Sequence, residues 1–215
     1  MRFEDLAARL VTVPAALPAP AAKLMPVFTG RVETLPPEVP LDRAAARQAA
    51  VLVLLFPDAA GDARVVLTER ATRDGHHSGE VSFPGGRAEP EDENLAATAL
   101  REAAEEVDLD VAAAGVRVVG ELERFWIPIS NYEVTPVLAL AARRPLLIAS
   151  PDEVVRIVEP RIADFLPNAP FEIVERTIRG RPLRYGAYRV EGLSVWGATA
   201  RVLSQLGAVL TGMEP

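Results

Sequence analysis

Apolar residues recur along this chain at two different periods, and the changes between those periods outline a fold. Between Arg2 and Val11, Phe3, Leu6 and Leu10 fall at helical intervals, which predicts a short amphipathic helix. From Pro14 to Pro40 the chain is rich in Pro and Ala and keeps neither period, so it reads as an extended connector wrapped on the surface. Asp42 stands where it would cap a helix running through Arg47. Ala50 to Phe56 is then apolar at every position, the pattern of a central strand covered on both faces. A turn over 57–62 and a second strand from Arg64 to Arg70 complete a predicted hairpin.

A polar, glycine-bearing loop follows from Ala71 to Pro90, and a helical pattern runs from Asn94 to Val107. Val116 to Glu123 and Tyr132 to Ala142 are strand-like, whereas Pro151 to Pro160 and the neighbourhood of Phe165 read as a loop with short helices. A last helix, Val195 to Leu210, carries Val202, Leu203, Leu206 and Leu210 on one face. Strands and helices are mixed without the regular alternation of a doubly wound sheet, so the expectation is a single mixed α/β domain.

Composition narrows the chemistry. A chain of 215 residues can bury one good core. Without cysteine, disulfides, thiolate catalysis and cysteine-bound zinc are excluded. The two histidines, His76 and His77, are adjacent, so no catalytic arrangement can draw on a distant second one. A net charge of −7 without a basic stripe argues against a nucleic-acid partner. No apolar run approaches the roughly 18 residues of a membrane span, so no membrane partner is expected. Glu4 and Asp5, with the prolines behind them, do not suit a signal peptide, so a cytoplasmic location is expected, as monomer or homodimer. An acidic protein can still act on an anionic small-molecule substrate when a divalent metal reverses the local field.

The 94–107 helix carries the candidate chemistry. At about 100° per residue, Leu100, Ala103, Ala104 and Val107 fall on one side, and Glu102, Glu105 and Glu106 on the other. Three crowded carboxylates repel one another unless a cation joins them, and Mg²⁺ prefers a few carboxylates together with substrate phosphates. The plainer alternative is a solvated acidic face relieved by Arg101. The preceding loop favours the metal: Gly85 and Gly86 permit close approach of backbone to ligand, so phosphate oxygens could meet N–H groups there.

The run Gly86 to Leu109 resembles the Nudix box, with its Arg101-Glu102-Ala103-Ala104-Glu105-Glu106 core intact. It departs from that box in carrying Asp92 for a Glu, one extra residue before Arg101, and Asp108 for a Gly. Leu67 to Arg70, His77-Ser78-Gly79, Phe83 to Gly86, Asp92 and Thr98 to Ala103 are similar to the coenzyme A pyrophosphatase branch, as are Tyr132 to Val137, Asp152-Glu153-Val154 and Val195 to Arg201. The resemblance spans roughly residues 45–207. It implies an α/β/α sandwich around a mixed β-sheet over 41–215, preceded by an N-terminal helix and Pro/Ala-rich extended segment over 1–40. It also implies hydrolysis of coenzyme A, or acyl-CoA, with Mg²⁺ or Mn²⁺.

Carried over, the resemblance makes Glu102 and Glu106 the principal metal ligands, Glu105 a further ligand or water-positioning group, and Arg101 the residue that orients them. Glu80 and Glu153 are candidates for acid–base work, although Glu153 is equally read as a helix-start carboxylate. Arg70, Arg73 and Arg87, with the glycine pair, would grip phosphate, the alternative for the arginines being surface ion pairs. His77 is read as a structural loop residue as readily as an acid–base group, and Trp196 as core packing. Other readings of the whole chain are a hydrolase of ADP-ribose or a dinucleotide, and a non-catalytic nucleotide-binding module.

Overall fold

The two periods become strands and helices in the computed structural model, which describes residues 1–29, 42–71, 80–178 and 181–212. Helix α1 (Phe3–Arg9) opens the chain, and β1 (Val27–Phe28) follows a 3₁₀ turn at Ala22–Leu24. Next come β2 (Arg47–Pro57), β3 (Ala63–Val65), β4 (Leu67–Arg70), β5 (Val81–Ser82) and β6 (Gly85–Arg87). Helices α2 (Leu95–Val107) and α3 (Val111–Ala114) precede β7 (Val116–Glu121), β8 (Phe125–Ile127), β9 (Tyr132–Ala141) and β10 (Val154–Val158). A hairpin of β11 (Glu172–Ile178) and β12 (Arg181–Val190) leads to β13 (Leu193–Val195) and the final helix α4 (Gly197–Thr211).

The strands form a six-stranded mixed sheet, ordered β3-β2-β9-β7 with β6 beside β2 and β8 beside β9, and two smaller sheets. Strand β2 is central and pairs parallel with β9, from Arg47 opposite Tyr132 to Leu55 opposite Leu140. Its unbroken apolar run follows from burial on both faces, since successive side chains alternate. Ala50, Leu52, Leu54 and Phe56 pack with Ala99, Ala103 and Val107 of α2. Val53 and Leu55 face the opposite core, with Leu203, Leu206 and Leu210 of α4 and Leu6 and Leu10 of α1. Helices therefore cover both faces of a mixed sheet: an α/β/α sandwich in a single domain, the arrangement that the resemblance implies. Among the described residues no helix is long and apolar enough to cross a membrane.

Several local expectations change. Asp42 accepts from the Ala44 N–H but caps one 3₁₀ turn, Arg43–Ala45, because Arg47 onward is claimed by the ladder with β9. The strand expected over Arg64–Arg70 splits at Val66: β3 pairs with β2, while β4 leaves to pair with β10 and β5. Within the expected loop 151–160, Val154 and Val158 are buried on β10 against β4. The expected loop 71–90 contains β5 and β6. The N-terminal connector is anchored as well as extended: Leu24 is fully buried, and β1 pairs with β12.

Candidate active site

Helix α2 starts where the Asn94 side chain accepts the Ala97 N–H at 3.0 Å, an N-cap that satisfies one orphan donor. It ends at Asp108, whose φ of 53° is left-handed. Asp thus adopts the conformation that Gly takes at little steric cost, and the Asp108 N–H closes the last turn on the Ala103 and Ala104 carbonyls. The Asp108 departure noted in the sequence leaves the helix end intact.

The expected division of this helix into an apolar and an acidic side needs correcting. Glu106 is 3% exposed and lies with Ala99, Ala103 and Val107 on the buried side, while Ala104 is exposed. Glu106 follows Ala103 by three positions and Glu102 by four, so it sits at the border where the packed face meets the neighbouring strand. Its Oε2 accepts the Gly85 N–H at 3.2 Å, and its Oε1 lies 3.8 Å from an Arg70 Nη1. Burial is the largest influence on this carboxyl and pushes it up to about 7; Arg70 and the Gly85 N–H oppose the shift, while Glu102 and Glu153 add to it. Burial likewise raises the Glu102 carboxyl, against the pull of Arg101.

These groups share a cleft of about 420 Å³ lined by Arg70, Gly85, Gly86, Arg87, Glu102, Glu106 and Glu153 on one side. The rest of its lining, Ala49, Val51, Ile127, Ser130, Tyr132 and Val134, is mostly apolar. Gly86 is required by close approach, since a Cβ there would stand 2.5 Å from the Glu102 carboxylate. The Gly85 N–H, expected to be open to phosphate, is held by Glu106 instead.

Glu105 is not with the other two glutamates. It is exposed, does not line the cleft, and pairs with an Arg101 Nη1 at 3.2 Å along the outer helix surface. Arg101 also stays out of the cleft. Its Nε and Nη2 donate to the two Asp92 oxygens at 3.0 and 3.1 Å, its Nη2 to the Arg87 carbonyl at 3.0 Å, and its Nη1 lies 3.2 Å from Glu102. Arg101 therefore ties the glycine strand to the helix. Asp92, the Asp-for-Glu departure, is the other half of this clamp; Arg101 first, then the Glu89 N–H, hold its carboxyl well below the usual range. Glu80 does not line the cleft, but its carbonyl accepts the Arg70 N–H at 3.1 Å. Arg73 and His77 lie outside the described residues. Trp196 packs at 4.6 Å from the Tyr185 ring.

Glu153 enters from the start of β10 because its carbonyl accepts the Ala71 N–H at 2.8 Å, fixing it beside the end of β4. The apolar wall from β8 and β9 had no signal of its own in the sequence, although the β-register that aligns Ala49 with Val134 would have revealed it.

Comparison with known proteins identifies the family. The sequence profile described as NUDIX domain matches residues 46–171. Nudix hydrolase 15, mitochondrial, of Arabidopsis thaliana is 36% identical over 182 residues, covering 81% of this chain and 62% of that protein. The chain thus spans less than two thirds of the plant relative. The uncharacterized Nudix hydrolase NudL of Salmonella heidelberg (strain SL476) is 34% identical over 188 residues, 87% of this chain and 95% of its own length. Among solved structures, a Nudix hydrolase from M. Smegmatis, RenU, aligns over 55% of this chain and 73% of that one, with 24% identity and a TM-score of 0.46. With the profile covering more than half of its residues and the bacterial relative aligned along nearly its whole length, the chain belongs to the Nudix hydrolase family.

Proposed function

We propose that this Nudix hydrolase cleaves the diphosphate of coenzyme A, releasing 4′-phosphopantetheine and adenosine 3′,5′-bisphosphate, with Mg²⁺ or Mn²⁺ held by Glu102 and Glu106. The observation that carries the reading is the convergence of Glu102, Glu106 and Glu153 with Arg70 in one cleft beside Gly86. Coenzyme A as the substrate is supported by the runs Leu67–Arg70 and Phe83–Gly86 and by Asp92, which resemble the coenzyme A branch.

The donor set suits a hard cation. Two partly desolvated carboxylates sit together, Glu106 3.8 Å from the half-exposed Arg70 and Glu102 3.2 Å from Arg101, and burial already disfavours their ionisation. Among the described residues no group of three acidic or histidine side chains could hold a metal ion by itself, so Glu102 and Glu106 would need other oxygens to complete the shell. An open site of a few carboxylates completed by water and phosphate oxygens is the arrangement Mg²⁺ favours. Such an ion supplies charge neutralisation on the phosphoryl oxygens and a more acidic water.

The chain's own residues supply the rest. Arg70 faces the cleft from β4 and pairs with a non-bridging phosphate oxygen. Glu153 accepts the proton from water as its oxygen bonds to one phosphorus and the bridging P–O bond breaks. Arg101 and Asp92 keep the glycine strand and helix in register, and Glu105 acts through Arg101 rather than at the reacting atoms.

The test is a product assay with purified protein, coenzyme A and Mg²⁺ or Mn²⁺. Adenosine 3′,5′-bisphosphate should appear in step with 4′-phosphopantetheine, and Glu102→Gln or Glu106→Gln should abolish turnover in folded protein. Higher kcat/KM for ADP-ribose or a dinucleotide would replace coenzyme A as substrate; no cleavage of any of these would overturn the reading.

A further inference from the structure

The cleft does not end at its carboxylates. Residues paired in a ladder point to the same face of a sheet. Gly86 pairs with Ala50 and Ala50 with Thr135, so this row faces α2. The flanking rows face the other way: Arg87 with Ala49 and Val134, then Gly85 with Val51 and Pro136. Arg47 and Tyr132 form the next row outward on that same face. The small side chains of Ala49, Val51 and Val134 therefore make a flat apolar floor directly beside the glycine strand, and Tyr132 rises at its far end.

Tyr132 is braced. The Arg47 guanidinium carbon lies 4.1 Å from the centre of its ring, and Arg47 is not among the residues that line the cleft, so it covers the face turned away. Arg47 is in turn fixed through its Nη2, which donates to the Ser130 carbonyl at 3.0 Å, and through its backbone N–H to the Asn131 carbonyl at 3.0 Å. Asn131 has a φ of 51°, accepts the Trp126 Nε1–H at 3.0 Å and donates to the Ala45 carbonyl at 3.2 Å. The β8–β9 turn is thus locked before any ligand arrives, which lowers the ordering entropy of binding.

Resting on the diphosphatase reading above, we infer that the Ala49–Val51–Val134 floor seats the substrate's nucleobase and that Tyr132 is the specificity residue that selects a planar aromatic ring. A flat floor of small apolar side chains with an aromatic wall matches a planar π-system; a flexible aliphatic arm gains more from a deep groove. Neighbouring strands lie about 4.8 Å apart, so Val134 stands about two strand spacings from Arg87 across Ala49 in one row, a reach that a ribose bridges between a base on the floor and a phosphate beside Gly86 and Arg87. Ser130, on the rim, offers a hydroxyl to the edge of the base.

Calorimetric titration of the full-length protein with Mg²⁺ tests this without relying on turnover. The ligands are AMP, ribose 5-phosphate and 4′-phosphopantetheine. AMP should bind wild-type protein about tenfold or more tightly than ribose 5-phosphate, the effect of one stacked base. Tyr132→Ala should remove that advantage and leave the other two ligands unchanged, whereas Tyr132→Phe should keep it within about twofold. If Tyr132→Ala does not fold, Tyr132→Leu preserves bulk without a π face and should show the same selective loss. Equal binding of AMP and ribose 5-phosphate by wild-type protein, an equal loss for all three ligands, or a loss confined to 4′-phosphopantetheine would overturn the inference. Retained discrimination for AMP in a protein that cleaves none of the diphosphates would overturn the proposed function and leave the nucleobase seat standing.

Discussion

Replacing Glu106 by Gln should stabilise the metal-free protein at neutral pH, although the same change removes a proposed metal ligand. The Glu106 carboxyl has an ordinary value of 4.5 and is pushed up to about 7 in the fold, chiefly by burial. Between these values the folded state keeps a proton that the unfolded chain has released, so stability falls as pH rises through that window and the full penalty is present above pH 7. At about 1.4 kcal/mol per pH unit the loss is about 3.5 kcal/mol. Glutamine has no such titration. It still presents an oxygen to the Gly85 N–H, and the Arg70 attraction it gives up is already counted in the raised value. The net gain for Glu106→Gln is then about 3 kcal/mol at pH 8 and close to zero near pH 4.5. For a chain of this size that corresponds to a rise in Tm of about 6–12 °C. The assay is denaturant and thermal unfolding in chelator at pH 5 and pH 8, followed by Mg²⁺ addition. Mg²⁺ should stabilise the wild-type protein and not the variant, by mass action. A variant less stable than wild type at pH 8, or a difference that does not change between pH 5 and pH 8, would refute the reasoning.

Two further substitutions probe the same packing. Gly86→Ala places a methyl group against the Glu102 carboxylate, so Glu102 must swing away; turnover should drop about tenfold or more while Tm changes little, because the clash is with the end of a flexible side chain rather than with backbone. Thr135→Val should raise stability by about 1 kcal/mol in urea unfolding, since the fully buried Thr135 hydroxyl has no hydrogen-bond partner and valine has the same shape without that desolvation penalty. A stable, fully active Gly86→Ala protein, or a destabilised Thr135→Val, would contradict these accounts.

How much of this was legible beforehand depended on the range of each interaction. Helix α2, its Asn94 cap and strand β2 were readable because their periods and caps are local. Strand β10 was not, because Val154–Val158 is short, lies between prolines and becomes a strand only by meeting β4 some 85 residues earlier in the chain. The hairpin of β11 and β12, half exposed and carrying mixed charge, gave no recognisable period. At the cleft, helical spacing brought Glu102, Glu105 and Glu106 together in projection, but spacing alone does not say which side chain a neighbouring strand will cover. Gly85 and Gly86 settle that by lying against Glu106 and Glu102, while Glu105 turns outward to Arg101. Arg101, just ahead of them, also pairs with Asp92, a through-space partner that helical spacing does not disclose.

The break at Val66 reaches further than the strand it interrupts. Because β4 abandons the large sheet for β10 and β5, Arg70 and Glu153 belong to one hydrogen-bonded ladder, whereas Gly86 and Tyr132 belong to another. The cleft is the seam between two separately stitched panels, which the chain crosses at Val66, at Phe83-Pro84 and over 142–153. Because Arg70 rides on the small panel and Glu106 on the helix that covers the large one, the 3.8 Å between them is set by how the two panels pack and by no rung of either ladder.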